Sequence, residues 1–316
     1  MSDRVLGFVQ TRARAAGIVI PFLILFITLS IASGTFLTKP NLLNILDQQA
    51  STLIIAAAGT MVLVAGGIDL SIGAVYGLAA VVSGELVLHG WPSAWAIVAG
   101  IASGLLVGVV NGVITSFFRI NALIATLAMS FVVSGIAGLI TQGNLLVLSV
   151  KPGFSQFANS QLFTVHASTW EMVIVVVVLG LVLARTTLGR YTYAAGGNQE
   201  AARFAGVRVN MVKVVAFALS GGAAALGGII DASRVSSGQS TDDTTLTFTV
   251  IAGIVVGGTS ILGGEGAIWR TVVGVLLIAM IGNGYDLLGL NQLYETITLG
   301  VIMILAVGLD AWSRAR

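Results

Sequence analysis

The chain has no cysteine, four prolines and few charges: 9% of its 316 residues are Asp, Glu, Lys or Arg. The first absence excludes disulfides and thiolate metal sites. The shortage of charge excludes more. A soluble domain carries roughly a quarter of its residues charged, and a water-facing shell cannot be built from so few. Two histidines, His89 and His166, are too few and too isolated for a Ser/His/Asp triad or a metal cluster, and both read as solvated loop residues. No cofactor or metal motif is present. Lys39, Lys151 and Lys213 follow Thr, Val and Val, so the Gly-Lys pair of a phosphate-binding loop is missing. Catalysis and nucleotide binding are therefore not expected of this polypeptide. The basic residues form no patch suited to nucleic acid.

What is present is apolar. Hydrophobic residues make up 56% of the chain, with 40 glycines and a mean hydropathy of +1.00. This is the composition of an all-α, polytopic membrane bundle, in which glycine lets helices approach closely. Runs of about 20 apolar residues predict helices near 16–35, 50–66, 70–88, 94–117, 121–142, 169–185, 212–230, 247–262, 268–285 and 295–312. Re-entrant stretches around 66–70 and 263–267 would lower the count of ten to eight. Arg4, Arg12 and Arg14 ahead of the apolar run Ala15 to Ile31, with Ala32, Ser33 and Gly34 after it, also fit a secretory leader. The length of the run and the many later spans favour a retained first helix.

With ten spans and both termini cytoplasmic, twelve basic residues lie inside: Arg4, Arg12, Arg14, Arg119, Arg185, Arg190, Arg203, Arg208, Lys213, Arg270, Arg314 and Arg316. Lys39, Lys151 and Arg234 lie outside. That asymmetry obeys the positive-inside rule. Asp47, Asp231, Asp242, Asp243, Asp286 and Glu295 gather on the outer side, where acids are either tolerated or dock a partner. No convincing pair of ionisable groups appears at mid-membrane, which argues against an ion-coupled secondary transporter.

Three local patterns stand out. Gly100, Gly104, Gly108 and Gly112 line one helix face and predict close helix packing. Gly66-Gly67-Ile68-Asp69-Leu70-Ser71-Ile72-Gly73 breaks two apolar runs. Asp69 there is expected at the interface or paired inside protein, as a helix-capping carboxylate or as part of a gate. A similar plan recurs at Gly263-Gly264-Glu265, and an internal repeat and coincidence both account for it. The third pattern is the polar segment Thr186 to Asn210. In it Asn198 caps a short surface helix, Glu200 occupies its first turn, and Ala201, Ala202, Phe204 and Ala205 form a small apolar face. Gly206 ends it. Such a helix suits a groove on a partner, and an ordinary connector fits as well.

These segments resemble the permease subunits of ribose-type sugar ABC importers, which are related to branched-chain amino-acid permeases. The resemblance rests on Gly66–Gly73, on Gly189-Arg190-Tyr191 leading into Gly196–Val207, and on Ile254-Val255-Val256-Gly257-Gly258-Thr259-Ser260-Ile261-Leu262-Gly263-Gly264. One departure is Asn121-Ala122-Leu123-Ile124-Ala125-Thr126-Leu127, where relatives commonly carry a Pro and a Phe-Ile pair. The resemblance implies a single permease domain over 1–316 in a bacterial inner membrane. It implies pairing with a second permease, two ATPase subunits inside and a periplasmic solute-binding protein outside. Gly197, Asn198, Glu200, Ala201, Ala202, Arg203 and Gly206 then match the coupling helix that meets the ATPase. Transport would proceed by alternating access for a monosaccharide, or for an amino acid, a nucleoside or a furanose-like signal.

Overall fold

A computed structural model describes residues 3–148, 152–240 and 244–314. Lys151, Asp242, Asp243 and Arg316 of the charge argument lie outside the described residues, as do the side chains of Arg4, Arg12, Arg14 and Arg314. The helices are α1 (Asp3–Ala32), α2 (Lys39–Gln48), α3 (Ala50–Val64), α4 (Ile72–Leu88), α5 (Ser93–Ser116), α6 (Ala122–Thr141) and α7 (Pro152–Asn159). They continue with α8 (Ala167–Arg185), α9 (Thr187–Gly197), α10 (Gln199–Phe204), α11 (Val209–Val235), α12 (Thr244–Val256), α13 (Ile268–Leu287) and α14 (Gln292–Arg314). Two short antiparallel ribbons pair Leu146 with Gly238 and Gln161 with His166.

Five helices, α5, α6, α8, α11 and α13, are long and apolar enough to cross a membrane. Apolar stretches of ten to seventeen residues occur in α1, α3, α4, α12 and α14. Each apolar run read from the sequence is thus a helix. The differences lie at the ends and between the runs. α2, α7 and α9 were not expected as separate helices, being short and less apolar. α11 runs five residues past its expected end at 230, because Asp231 and Arg234, one turn apart, pair within it at 2.9 Å and so satisfy each other's charge.

On the outer helices α5 and α6 burial is inverted relative to a soluble bundle. On α5 the inward residues include Gly100, Gly104, Gly108, Asn111 and Gly112, whereas Leu106 and Val98 point away from the protein. On α6 the buried positions include Ala125, Thr126, Ser130 and Thr141, and Leu139 is 81% exposed. Small and polar residues meet other helices while branched apolar ones are left for lipid, as expected where hydrophobicity does not drive helix association. Asn121 starts α6 by accepting the amide of Leu123 at 2.9 Å.

The centre is built on α11, which packs against α5, α3 and α4. A Cβ on Gly104 would lie 2.4 Å from the carbonyl oxygen of Gly221, and one on Gly108 would lie 2.3 Å from that of Phe217. Both helices therefore meet at backbone distance. α3 is buried at every one of its 15 residues.

Candidate functional site

Segment 66–73 is held by side chains from four helices, α5, α6, α11 and α12. Asp69 is 5% exposed. Its Oδ1 accepts the Ser71 amide at 3.0 Å and the Ser71 hydroxyl at 2.7 Å, and its Oδ2 accepts the Ser220 hydroxyl of α11 at 2.8 Å. Asn111 of α5 donates to Ser71 Oγ at 2.8 Å. Thr126 of α6 accepts the Leu70 amide, and Thr247 of α12 accepts the Gly73 amide. Asp69 therefore lies inside protein, held by hydrogen bonds, and among the described residues no cation pairs with it. It takes the amide of Ser71, just before α4, rather than the amides of α4's first turn. Replacing it with alanine orphans the two buried serine hydroxyls. Asp69→Ala is expected to destabilise the fold by about 2–4 kcal/mol, read as a lowered unfolding midpoint in detergent, with Ser220→Ala costing less than half of that.

The segment after α8 starts at Thr186, whose side chain accepts the Gly189 amide and whose own amide reaches Val182. α9 then buries Gly189, Thr192 and Ala195 and ends against two distant turns. A Cβ on Gly196 would stand 1.8 Å from the Val64 carbonyl oxygen and 2.6 Å from the Gly264 amide nitrogen. The Gly264 amide donates to that same Val64 oxygen at 2.9 Å. A Cβ on Gly264, whose φ is +76°, would come within 2.7 Å of the Gly197 Cα, and one on Gly263 within 2.8 Å of the Gly66 Cα. Gly66, Gly196, Gly197, Gly263 and Gly264 thus form one backbone knot. Tyr193 closes it by donating its hydroxyl to the Gly266 carbonyl at 2.8 Å. Burial raises the Tyr193 pKa, with nearby Arg270 pulling the other way, so the phenol stays a donor at neutral pH.

Beyond the knot, α10 projects. Asn198 accepts the Ala201 amide at 3.0 Å, and Gly206, at φ +82°, turns the chain out of the helix. Glu200 lies in the first turn and Arg203 in the last, where it donates to Asn210 at 3.1 Å. The apolar face divides. Ala202 is buried against Ala195, Val207, Val209 and Val212, while Ala201 and Ala205 are exposed and Phe204 is 93% exposed. Phe204 is thus a fully presented aromatic ring on a helix fixed at both ends.

Near the carboxyl end of α11 a second polar cluster forms. Tyr76 donates to Asp231 at 2.8 Å, Arg234 bridges Asp231 and the Asp47 carbonyl, and Ser168 donates to Asp47. His166 Nδ1 stands 3.4 Å from Asp47. His166 is therefore not a solvated loop residue, whereas exposed His89 hydrogen-bonds Glu85 of its own helix. Nor is Asp231 a free surface acid. Sequence reading missed this cluster, because partners more than 100 residues apart leave no local pattern.

The model of the family described as branched-chain amino acid transport system / permease component matches residues 41–307. The chain belongs to this permease family. The permease is 37% identical over 300 residues to the ribose import permease protein RbsC of Escherichia coli K12, covering 92% of each chain. It is 37% identical to RbsC of Bacillus subtilis over 294 residues, covering 92% of this chain and 91% of that one. To the L-arabinose ABC transporter permease protein AraH of Azospirillum brasilense it is 35% identical over 313 residues, 98% of this chain and 91% of the relative. No solved structure matches the permease.

Proposed function

We propose that this chain is the membrane-spanning subunit of an ATP-binding-cassette importer for a monosaccharide, with a pentose as the best candidate. The observation that carries the transport reading is α10: a short helix capped at both ends, presenting Phe204, and anchored through the glycine knot to the α3–α4 and α12–α13 turns. A helix so mounted can be pushed as a lever by a partner that hydrolyses ATP, since the chain has no phosphate-binding loop of its own. The sugar assignment is supported by relatives spanning more than 90% of the chain that are named for ribose and L-arabinose.

In the full reading the single domain 1–316 crosses the bacterial inner membrane ten times, with both termini cytoplasmic and segment 186–210 as the coupling segment. Gly197, Asn198, Glu200, Ala201, Ala202, Arg203, Phe204 and Gly206 meet the ATPase. Gly66, Gly67, Asp69, Ser71 and Gly73 form a gate that responds when α10 moves. A second permease completes the passage, and a solute-binding protein delivers sugar from outside. The ATPase has to supply the bias, because reversing a 1:99 population needs about 5.5 kcal/mol of differential binding.

The test is uptake of labelled ribose and arabinose by cells expressing the permease with its ATPase and binding protein. Uptake is expected to stop when ATP is depleted and to survive a proton uncoupler while ATP is maintained. Loss with the uncoupler alone would assign the chain to ion-coupled transport instead.

A further inference from the structure

One polar pocket lies outside the knot and the Asp69 network. It has a volume of about 340 Å³ and is lined by Thr115, Ser116, Arg119, Gln199, Glu200, Arg203, Asn210 and Lys213. Three cations from three elements, Arg119 after α5, Arg203 of α10 and Lys213 of α11, face one carboxylate, Glu200. Among the described residues none of these four makes an ion pair. Asn210 lies in the first turn of α11, so the partial positive charge of that helix end adds to the field. The hydroxyl of Ser116, a residue 5% exposed, is buried in the pocket wall without a hydrogen-bond partner. Three cations and a free hydroxyl converging on one cavity form a site for an oxyanion.

Which oxyanion is indicated by the neighbouring surface. Phe117, Phe118 and Ile120, on either side of Arg119, are all large, apolar and exposed. A free phosphate has no use for an apolar collar, and an acyl chain does. We infer that the pocket holds the phosphate of an anionic phospholipid headgroup, with the acyl chains lying against Phe117, Phe118 and Ile120. Basic pockets at the cytoplasmic ends of membrane helices suit such headgroups. Arg119 supplies the planar fork and Lys213 the point charge. The binding site stands on this geometry alone. Its consequence for transport rests on the coupling reading: an occupied pocket ties α10 to the end of α5, making the lever's mobility sensitive to lipid charge.

The experiment uses the full-length chain, purified without its ATPase in a neutral detergent and titrated with dioleoyl phosphatidylglycerol or dioleoyl phosphatidylcholine under native mass spectrometry. The wild-type chain is expected to bind phosphatidylglycerol about tenfold more tightly than phosphatidylcholine. Arg119→Gly combined with Lys213→Gln is expected to abolish that preference. Glycine suits the Arg119 φ of 58°, so this change removes the guanidinium without straining the turn, and equal unfolding midpoints would verify the fold. Glu200→Gln removes the opposing charge and is expected to tighten phosphatidylglycerol binding about threefold. Millimolar inorganic phosphate is expected to leave the lipid bound. The inference is overturned by equal affinity for both lipids, or by a preference that survives the double variant. It is also overturned by displacement with inorganic phosphate, which would assign the site to a soluble anion. A double variant that keeps the lipid and loses only ATPase association would make the pocket a protein contact and equally overturn it. Binding as expected with uptake indifferent to lipid charge would instead remove the coupling reading and leave the site standing.

Discussion

Gly196→Ala is expected to abolish uptake and destabilise the permease by about 3 kcal/mol, the upper end of the usual cost of overpacking. The added methyl would sit 1.8 Å from one backbone atom and 2.6 Å from another, both belonging to remote turns. No rotamer change relieves such an overlap, because the obstacles are main-chain atoms. The α3–α4 and α12–α13 turns would have to separate from α9, breaking the Gly264 to Val64 hydrogen bond. The adjacent glycine supplies the control. A Cβ on Gly197 would find its nearest neighbour at 4.0 Å, so Gly197→Ala is expected to retain the wild-type unfolding midpoint. Transport of labelled sugar and thermal unfolding in detergent read both variants. Equal losses of unfolding midpoint at the two positions would show that the backbone contacts of Gly196 do not hold the knot.

Phe204→Ala is expected to leave the isolated permease unchanged and to weaken ATPase association about thirtyfold. The ring is 93% exposed, so its removal takes little packing from the fold. On docking it would bury most of its surface, worth about 2 kcal/mol, and each 1.4 kcal/mol is a factor of ten in affinity. Co-purification and the concentration dependence of ATPase stimulation measure the loss, and an unchanged unfolding midpoint separates it from misfolding. Full association by Phe204→Ala would place the ATPase contact elsewhere.

These two residues differ in how far the sequence announced them. The setting of Phe204 is local. Asn198 caps, Gly206 stops and six residues between them form one short helix, all within a dozen positions where capping chemistry acts. The apolar runs were legible for the same reason, since each registers as a stretch of hydropathy. Gly196 was visible as a glycine, and so were Gly66 and Gly264, yet nothing in their flanks says that residues nearly 200 positions apart touch through their backbones. Asp69 was legible as a costly residue needing company, but Ser220 and Asn111 were not legible as that company. The run of apolar residues likewise hid α2 and α7, whose polar content places them outside any hydropathy signal.

α3 holds a further consequence. Fifteen residues of α-helix rise about 22 Å, short of a hydrocarbon layer about 30 Å thick, and all of them are enclosed by neighbouring helices. Its free peptide groups at either end would be stranded in acyl chains if it partitioned alone. During biogenesis α3 is therefore expected to settle only once neighbouring helices are there to enclose it.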